Sequence, residues 1–164
     1  MILNDERLYS LISSGMIDNV CDPSVQVTPN GIDLTLKKVE SFLDGGCVDF
    51  SNDKRKLSRT EEIPFTESWV HLPMGAYKIT FNEIVSIPDT MIALARPRSS
   101  LLRSGASIES AVWDAGFHGA SISLLVVYNP HGISLQENAR LMQLFFLELC
   151  EKVKNPYDGV YQHE

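Results

Sequence analysis

Cysteine is scarce in this chain, and the cysteines that occur are far apart. Cys21, Cys47 and Cys150 are the whole set, and no C-x-x-C spacing occurs. None of the four histidines stands at a spacing that would complete a zinc-binding set with them. We therefore expect free, reduced thiols, and we assign no histidine to a metal.

Long hydrophobic runs are also missing. The apolar stretch from Leu124 to Tyr128 is as long as any in the chain, and it is far shorter than the roughly 20 residues that a membrane-spanning helix needs. The start of the chain, Met1 to Glu6, has no basic region followed by an apolar block, so it does not look like a secretion signal. The sequence predicts a cytoplasmic protein that does not enter a membrane.

Positive charge is in deficit, with 14 lysines and arginines against 21 aspartates and glutamates and a net charge of −7. This balance argues against a nucleic-acid polymer held by general attraction. A small phosphate ligand stays possible, if a few local cationic residues and a divalent metal bind it. With 164 residues, 44% of them hydrophobic and 21% charged, we expect one globular domain over residues 1–164.

Short strand patterns dominate the chain after a helix predicted over residues 4–14, where Asn4 can cap and the apolar residues share one face. Residues 44–68 are polar and contain glycines, which favours an irregular hairpin or long excursion. Residues 139–152 fit a helix and a strand equally well. The pattern predicts an all-β barrel or jelly roll with a small N-terminal helix. Alternation or β-rich runs predict strands at Gly31–Lys37, Tyr77–Phe81, Met91–Leu94 and Ser121–Tyr128.

An arginine- and serine-rich segment, Arg96–Gly105, stands out in this acidic chain with three arginines and three serines in ten residues. Arginine forks suit phosphate oxygens, and hydroxyl groups and turn amides add short donors. A solvated turn whose arginines pair with carboxylates is an equally good interpretation from composition alone.

Asp114 is a candidate catalytic carboxylate, because it lies among apolar neighbours just before two glycines in Ser110–Gly119. A carboxylate buried there would have to be hydrogen-bonded, paired or catalytic, although a turn-forming aspartate before glycine is the commoner case. Asp33, at the entry to a strand, and Gln143, inside an apolar run, are weaker candidates. Each by itself is better explained as an exposed strand residue.

Taken in order, these segments resemble the motif series of the dUTPase/dCTP deaminase superfamily. The termini resemble its deaminase-like branch, which includes small archaeal-type dUTPases. The motif matches are Gly31–Leu34 to Gly-x-Asp-Leu, Arg98–Arg103 to Arg-Ser-Ser-Leu-x-Arg, Trp113–Gly119 to an apolar residue followed by Asp-x-Gly-aromatic-x-Gly, and Arg140–Leu144 to Arg-hydrophobic-x-Gln-Leu.

The resemblance implies a fold, an assembly and a reaction. The family fold is a distorted β-barrel of jelly-roll type that forms a homotrimer with active sites between subunits, and it favours a strand over residues 139–149. The implied reaction is hydrolysis of dUTP to dUMP and pyrophosphate. Mg²⁺ would bind mainly to the triphosphate and water, with Asp33 contacting the ion through water.

The resemblance also assigns roles to individual residues. Asp114 would activate the water that attacks the α-phosphorus, and Phe117 would stack on the deoxyribose. Backbone groups of Ser110, Ala111 and Val112 would bind the uracil edge. The residues implied to contact the phosphates are Arg98, Ser99, Ser100 and Arg103, with Gln143 at the α/β bridge and Tyr161 and Gln162 of the 155–164 tail.

The chain departs from the family pattern at two places. The deaminases carry a glutamate five residues after the second glycine of the hairpin motif, and that position is Leu124 here. The chain also lacks the Gly-rich arm with which typical dUTPases close the site. Two alternatives to dUTP hydrolysis stay open: dCTP deamination, which Leu124 disfavours, and a non-catalytic nucleotide-sensing or protein-binding relative.

Overall fold

The computed structural model describes residues 1–162, so the last two residues of the predicted 155–164 tail lie outside it. The helices are α1 (Asp5–Ser13), α2 (Pro23–Gln26) and α3 (Ser99–Arg103). The strands are β1 (Ile17–Asp18), β2 (Val27–Thr28), β3 (Gly31–Phe42), β4 (Thr60–Glu62), β5 (Trp69–Leu72), β6 (Gly75–Ser86), β7 (Met91–Pro97), β8 (Ala106–Glu109), β9 (His118–Val127), β10 (Ile133–Gln136) and β11 (Arg140–Glu148).

The predicted N-terminal helix is confirmed as α1. The Asn4 side chain accepts a hydrogen bond from the backbone N–H of Arg7 at 3.3 Å, which caps the first turn. Leu8 and Leu11 are buried on the same face. Gly15 follows the helix with φ +73°, a left-handed conformation that glycine adopts without strain.

The main sheet has the strand order β7-β11-β3-β6-β9-β8, and it curves until it is nearly closed like a barrel. The short strands β2 and β4 pair with β3, β1 pairs with β6, and β5 and β10 form a separate two-stranded sheet. The predicted mainly β, barrel-like fold with a short N-terminal helix is therefore confirmed. In residues 1–162, no helix is long and apolar enough to cross a membrane.

Residues 139–149, ambiguous by periodicity, are almost entirely strand. β11 pairs antiparallel with β3 on one side and with β7 on the other. Met142, Leu144 and Phe146 alternate into the core, and each has at most 1% of its surface exposed. A strand between two partners satisfies its backbone hydrogen bonds on both edges.

The loop of residues 43–59 connects β3 to β4 and forms an irregular hairpin, whereas the rest of the range predicted to be irregular, 44–68, contains strand β4. Cys47 and Lys56 exchange backbone hydrogen bonds across it at 2.8 and 2.9 Å. At its base, Asp44 Oδ2 accepts a hydrogen bond from Arg59 Nε at 2.8 Å. All three cysteines are exposed and form no disulfide in the part of the chain that the structure describes.

Candidate functional site

The hairpin of residues 110–117, between β8 and β9, carries Asp114 at an exposed tip. Trp113 anchors it: the indole Nε1 donates to Ser121 Oγ at 3.0 Å, and the backbone exchanges two hydrogen bonds with Ala93. The Phe117 N–H closes the turn by donating to the Asp114 carbonyl at 3.0 Å. The backbone therefore fixes the turn, while the Asp114 carboxylate faces solvent in the single chain. It is not the buried carboxylate that its apolar neighbours suggest.

A cavity of about 530 Å³ opens beside this hairpin. Its walls are mostly apolar, and Lys56 of the 43–59 loop and Lys78 of β6 add positive charge. Such a cavity suits a flat heterocyclic ring, because its apolar walls can cover the ring while its few charged residues bind polar groups of the ligand. From the hairpin, β9 and the tail it is lined by Ala111, Val112, Trp113, Asp114, Phe117, Ala120, Ile122, Tyr157 and Tyr161.

The C-terminal tail folds back onto the hairpin of its own chain. The Tyr157 N–H donates to the Ala115 carbonyl at 2.8 Å. The Gln162 side chain accepts from the His118 N–H at 3.1 Å and donates to the Gly116 carbonyl at 3.0 Å. Within the described residues, both polar atoms of this amide are thus occupied by the hairpin. The phosphate contact expected of Gln162 stays a prediction.

Aromatic side chains also attach the tail to the hairpin and to the 43–59 loop. The rings of Phe117 and Tyr157 meet edge to face with centroids 5.8 Å apart. The Arg55 guanidinium, from the 43–59 loop, lies 5.9 Å from the centre of the Tyr161 ring. The tail and the 43–59 loop therefore both border the cavity and contact each other there.

The arginine- and serine-rich segment is a five-residue helix, α3, rather than the turn expected from its composition. Leu101 is buried and anchors it, while Ser99, Ser100 and Arg103 are exposed. The Arg98 N–H donates to the Leu141 carbonyl of β11 at 2.9 Å, which attaches the start of the helix to the sheet.

Asp33 and Arg98, far apart in sequence, meet at the sheet beside α3. Asp33 Oδ2 lies 3.0 Å from Arg98 Nε and 3.3 Å from Arg140 Nη1. The expectation that Asp33 is an exposed strand residue is wrong, because only 3% of its side chain is exposed. Burial raises the pKa of the Asp33 carboxyl, and the two guanidinium groups oppose this shift.

Gln143 lies next to this ion pair on β11. Its backbone is the direct cross-strand partner of Asp33 on β3 and of Arg96 on β7. Its side-chain Nε2 donates to Thr28 Oγ1 at 2.6 Å, and that hydroxyl donates to the Gly31 carbonyl at 2.8 Å. The simple expectation of an exposed strand residue is wrong here too, because Gln143 is only partly exposed.

The predicted site residues thus form two groups in one chain. The hairpin, Phe117 and Tyr161 line the cavity, whereas Asp33, Arg98 and Gln143 cluster where β3 and β11 meet. In the described chain, the cavity lining includes no residue of α3 and none of that second cluster. The expectation that each active site combines the two groups from different subunits stays a prediction.

Several residues at the site carried no sequence signal. Lys56, Lys78 and Tyr157 acquire their contacts only through folding, and Arg140, although it begins a motif, was not expected to pair with Asp33. Glu109 is a further case: it lies at the end of β8 as the direct cross-strand partner of Leu124, the position of the deaminase glutamate. In residues 1–162, no group of three or more histidine, cysteine, aspartate or glutamate side chains could hold a metal ion.

Comparison with known proteins agrees with the motifs. The chain matches the dCTP deaminase-like family over residues 2–149. A Methanosarcina mazei protein named probable deoxyuridine 5′-triphosphate nucleotidohydrolase is 48% identical over 166 aligned positions, covering 99% of this chain and 97% of that protein. A Methanocaldococcus jannaschii protein named deoxyuridine 5′-triphosphate nucleotidohydrolase is 38% identical, covering 92% of this chain and 94% of that protein.

Among solved structures, 2′-deoxycytidine 5′-triphosphate deaminase from Agrobacterium tumefaciens matches with a TM-score of 0.67 at 24% identity, over 88% of this chain. This chain spans about half the length of that protein, 47%. At this level of identity the match shows the fold alone. With the family match and the archaeal relatives, the chain belongs to the dCTP deaminase-like family, which confirms the resemblance of its motifs to the dUTPase/dCTP deaminase superfamily.

Proposed function

We propose that the chain hydrolyses dUTP to dUMP and pyrophosphate, as a cytoplasmic enzyme with one domain per subunit. The observation that carries the proposal is the exposed Asp114 carboxylate at the mouth of an apolar cavity, on a turn whose backbone is fixed on both sides. The names of the archaeal relatives support the same reaction. Leu124 supports hydrolysis over deamination, because it replaces the carboxylate that deamination uses at the base.

In this proposal Asp114 is the general base. It holds a water molecule, takes its proton, and directs the oxygen at the α-phosphorus, while the bond to the bridging α/β oxygen breaks and pyrophosphate leaves. Phe117 packs on the deoxyribose, and the backbone at Ser110, Ala111 and Val112 binds the uracil edge. A base held by a fixed turn reacts efficiently because little orientational freedom has to be lost to reach the transition state.

The phosphate chain would be bound by the exposed face of α3 from a neighbouring subunit. Arg98 and Arg103 offer planar forks that match phosphate oxygens, and Ser99 and Ser100 add hydroxyl donors. Gln143 would contact the α/β bridge, and Tyr161 would approach from the tail. These donors stabilise the negative charge of the phosphates and of the departing pyrophosphate.

Mg²⁺ is proposed to reach the site bound to the triphosphate and to water. Within residues 1–162, the chain's own side chains do not form a metal site there, because the Asp33 carboxylate already faces two guanidinium groups at 3.0 and 3.3 Å. A divalent cation beside those charges would be repelled. The contact through water expected between Asp33 and Mg²⁺ is untested, and this ion pair argues against it.

Deamination of dCTP is a second candidate because of Glu109. Residues directly opposite in an antiparallel pair have Cβ atoms about 4.5–5.5 Å apart, so this exposed carboxylate lies beside the deaminase position from the neighbouring strand. Glu109 is absent from the residues that line the cavity in the described chain. We therefore favour hydrolysis.

A complementation experiment tests both the reaction and the trimer. Asp114→Asn and Arg103→Ala chains should each be inactive on dUTP. If every site takes Asp114 from one subunit and Arg103 from the next, mixed trimers formed from equal amounts should regain about a quarter of the wild-type sites by random assembly in a closed ring. Mixed trimers that remain inactive would contradict a shared site. High activity of Asp114→Asn alone would contradict the general base.

A further inference from the structure

We propose that Asp33 is a positioning residue whose buried carboxylate orients Arg98 toward the phosphate chain. The inference rests on the proposed function, in which Arg98 binds phosphate. It goes further because it pairs Asp33, the acidic residue of the Gly31–Leu34 motif, with Arg98 of the Arg98–Arg103 motif rather than with the metal.

The geometry of the ion pair supports this role. Arg98 Nε lies 3.0 Å from Asp33 Oδ2 as an ion pair, and Arg98 Nη1 donates a hydrogen bond to the Arg140 carbonyl at 3.2 Å. One nitrogen of the guanidinium is thus hydrogen-bonded and a second is ion-paired on the protein side, and 30% of the side chain remains exposed. A planar group held by one hydrogen bond and one ion pair is restricted in orientation, and these two contacts decide which part of it stays exposed.

A polar network beneath Asp33 keeps the carboxylate in place. The Gln26 side-chain Nε2 donates to the Asp33 carbonyl at 2.8 Å and to Glu83 Oε1 at 2.7 Å. Glu83 is fully buried, and its second oxygen accepts from the Thr35 N–H at 2.9 Å. These bonds fix the β3 backbone from the carbonyl of the aspartate to the amide of Thr35. A residue that orients another must itself be held rigidly.

Charge balance gives the carboxylate a second effect. Asp33 faces the positive charges of Arg98 and Arg140, so the cluster keeps a net charge of about +1 from these three groups. Removing the carboxylate would increase the attraction for a polyanion while releasing Arg98 from its fixed orientation. Loss of the Asp33 carboxylate should therefore lower dUTP turnover much more than it lowers the affinity for a polyphosphate. A merely structural role does not predict this difference.

The first test compares Asp33→Asn, Arg98→Lys and the double variant. Asp33→Asn should lower dUTP turnover at least about tenfold, because loss of orientation acts on the reaction step, while tripolyphosphate affinity changes less than about threefold, since the added charge offsets it. In a protein that already carries Arg98→Lys, adding Asp33→Asn should lower dUTP turnover by less than about a further twofold, because the guanidinium that Asp33 orients is no longer there. The Mg²⁺ concentration for half-maximal rate should stay constant.

A matched control is Glu148→Gln. It removes the carboxylate from a different ion pair, between Glu148 of β11 and Arg7 of α1, whose atoms lie 3.3 Å apart. It should leave both measurements unchanged. Additive losses from Asp33→Asn and Arg98→Lys would overturn the proposal. So would a shift in Mg²⁺ requirement as the main effect of Asp33→Asn.

A spectroscopic test uses the wild-type protein, so it does not depend on the folding of any Asp33 variant. The Arg98 Nε–H resonance, assigned by its loss in Arg98→Lys, should exchange slowly with water and persist when tripolyphosphate binds. Exchange as fast as that of a solvated arginine would overturn the proposal. Tripolyphosphate has no base or sugar, so this result stands even if dUTP proves not to be the substrate.

Discussion

Gly116 is the position where one added methyl group should separate the tail from the hairpin. Its φ is +92°, and a Cβ built there would lie 2.6 Å from Pro156 Cβ and 2.9 Å from the Tyr157 backbone nitrogen. Both atoms belong to the tail, and the second is a backbone atom. The tail cannot keep its place if residue 116 carries a side chain.

The magnitude of the Gly116→Ala effect has two parts. A left-handed conformation costs a non-glycine residue about 1–2 kcal/mol. Displacing the tail also removes the hydrogen bonds that Tyr157 and Gln162 make to the hairpin, each contributing about 0.5–1.5 kcal/mol. The strain alone should lower Tm by roughly 2–8 °C, since 1 kcal/mol corresponds to about 2–4 °C in a chain of this length.

Limited chymotrypsin digestion measures the tail directly, because Tyr157 and Tyr161 are cleavage sites in it. Loss of at least about 1.4 kcal/mol of docking energy predicts cleavage at least tenfold faster in Gly116→Ala. The matched control is Gly45→Ala, whose added Cβ meets no atom within 4 Å. If both variants show the same tail cleavage rate and the same Tm, the tail is not held against the hairpin.

Two further predictions concern stability and assembly. Burial raises the pKa of the Glu83 carboxyl above its ordinary 4.5. The folded chain therefore holds the carboxyl proton more tightly than the unfolded chain does. As a consequence, the contribution of Glu83 to the free energy of unfolding falls as pH rises above 4.5. The stability advantage of wild type over Glu83→Gln in urea unfolding should therefore shrink toward neutral pH; an advantage that grows with pH contradicts this. Light scattering at micromolar concentration should give the mass of three chains, and a stable monomer with full dUTP turnover contradicts the shared site.

The fold was predictable where local pattern and core agree. Asn4 and the apolar face of α1 identify the first helix, and alternation identifies β3. β11 was ambiguous because both of its faces are apolar: Phe145 and Leu147, opposite to its core-facing residues, are also partly covered. When both faces of a strand are apolar, the period of two disappears, and only the resemblance favoured a strand there.

The site was less predictable, because its contacts join distant parts of the chain. Burial of Asp33 depends on Arg98 and on Arg140, which is 107 residues away, and no local pattern reports such partners. The same holds for Gln162, which reaches the hairpin across 44 residues. Asp114 was identified by its motif, yet its solvent exposure required the turn geometry to be known.

The most direct test of dUTP hydrolysis is a product assay on the wild-type protein with dUTP and dCTP in separate reactions containing Mg²⁺. Pyrophosphate and ammonia are measured independently, with Asp114→Asn as the inactive control and Glu109→Gln as the control for deamination. Hydrolysis predicts equal amounts of dUMP and pyrophosphate from dUTP, and no ammonia from dCTP. Ammonia released from dCTP at an enzymatic rate, and lost in Glu109→Gln, would contradict the proposed function and identify the carboxylate opposite Leu124 as the catalytic group.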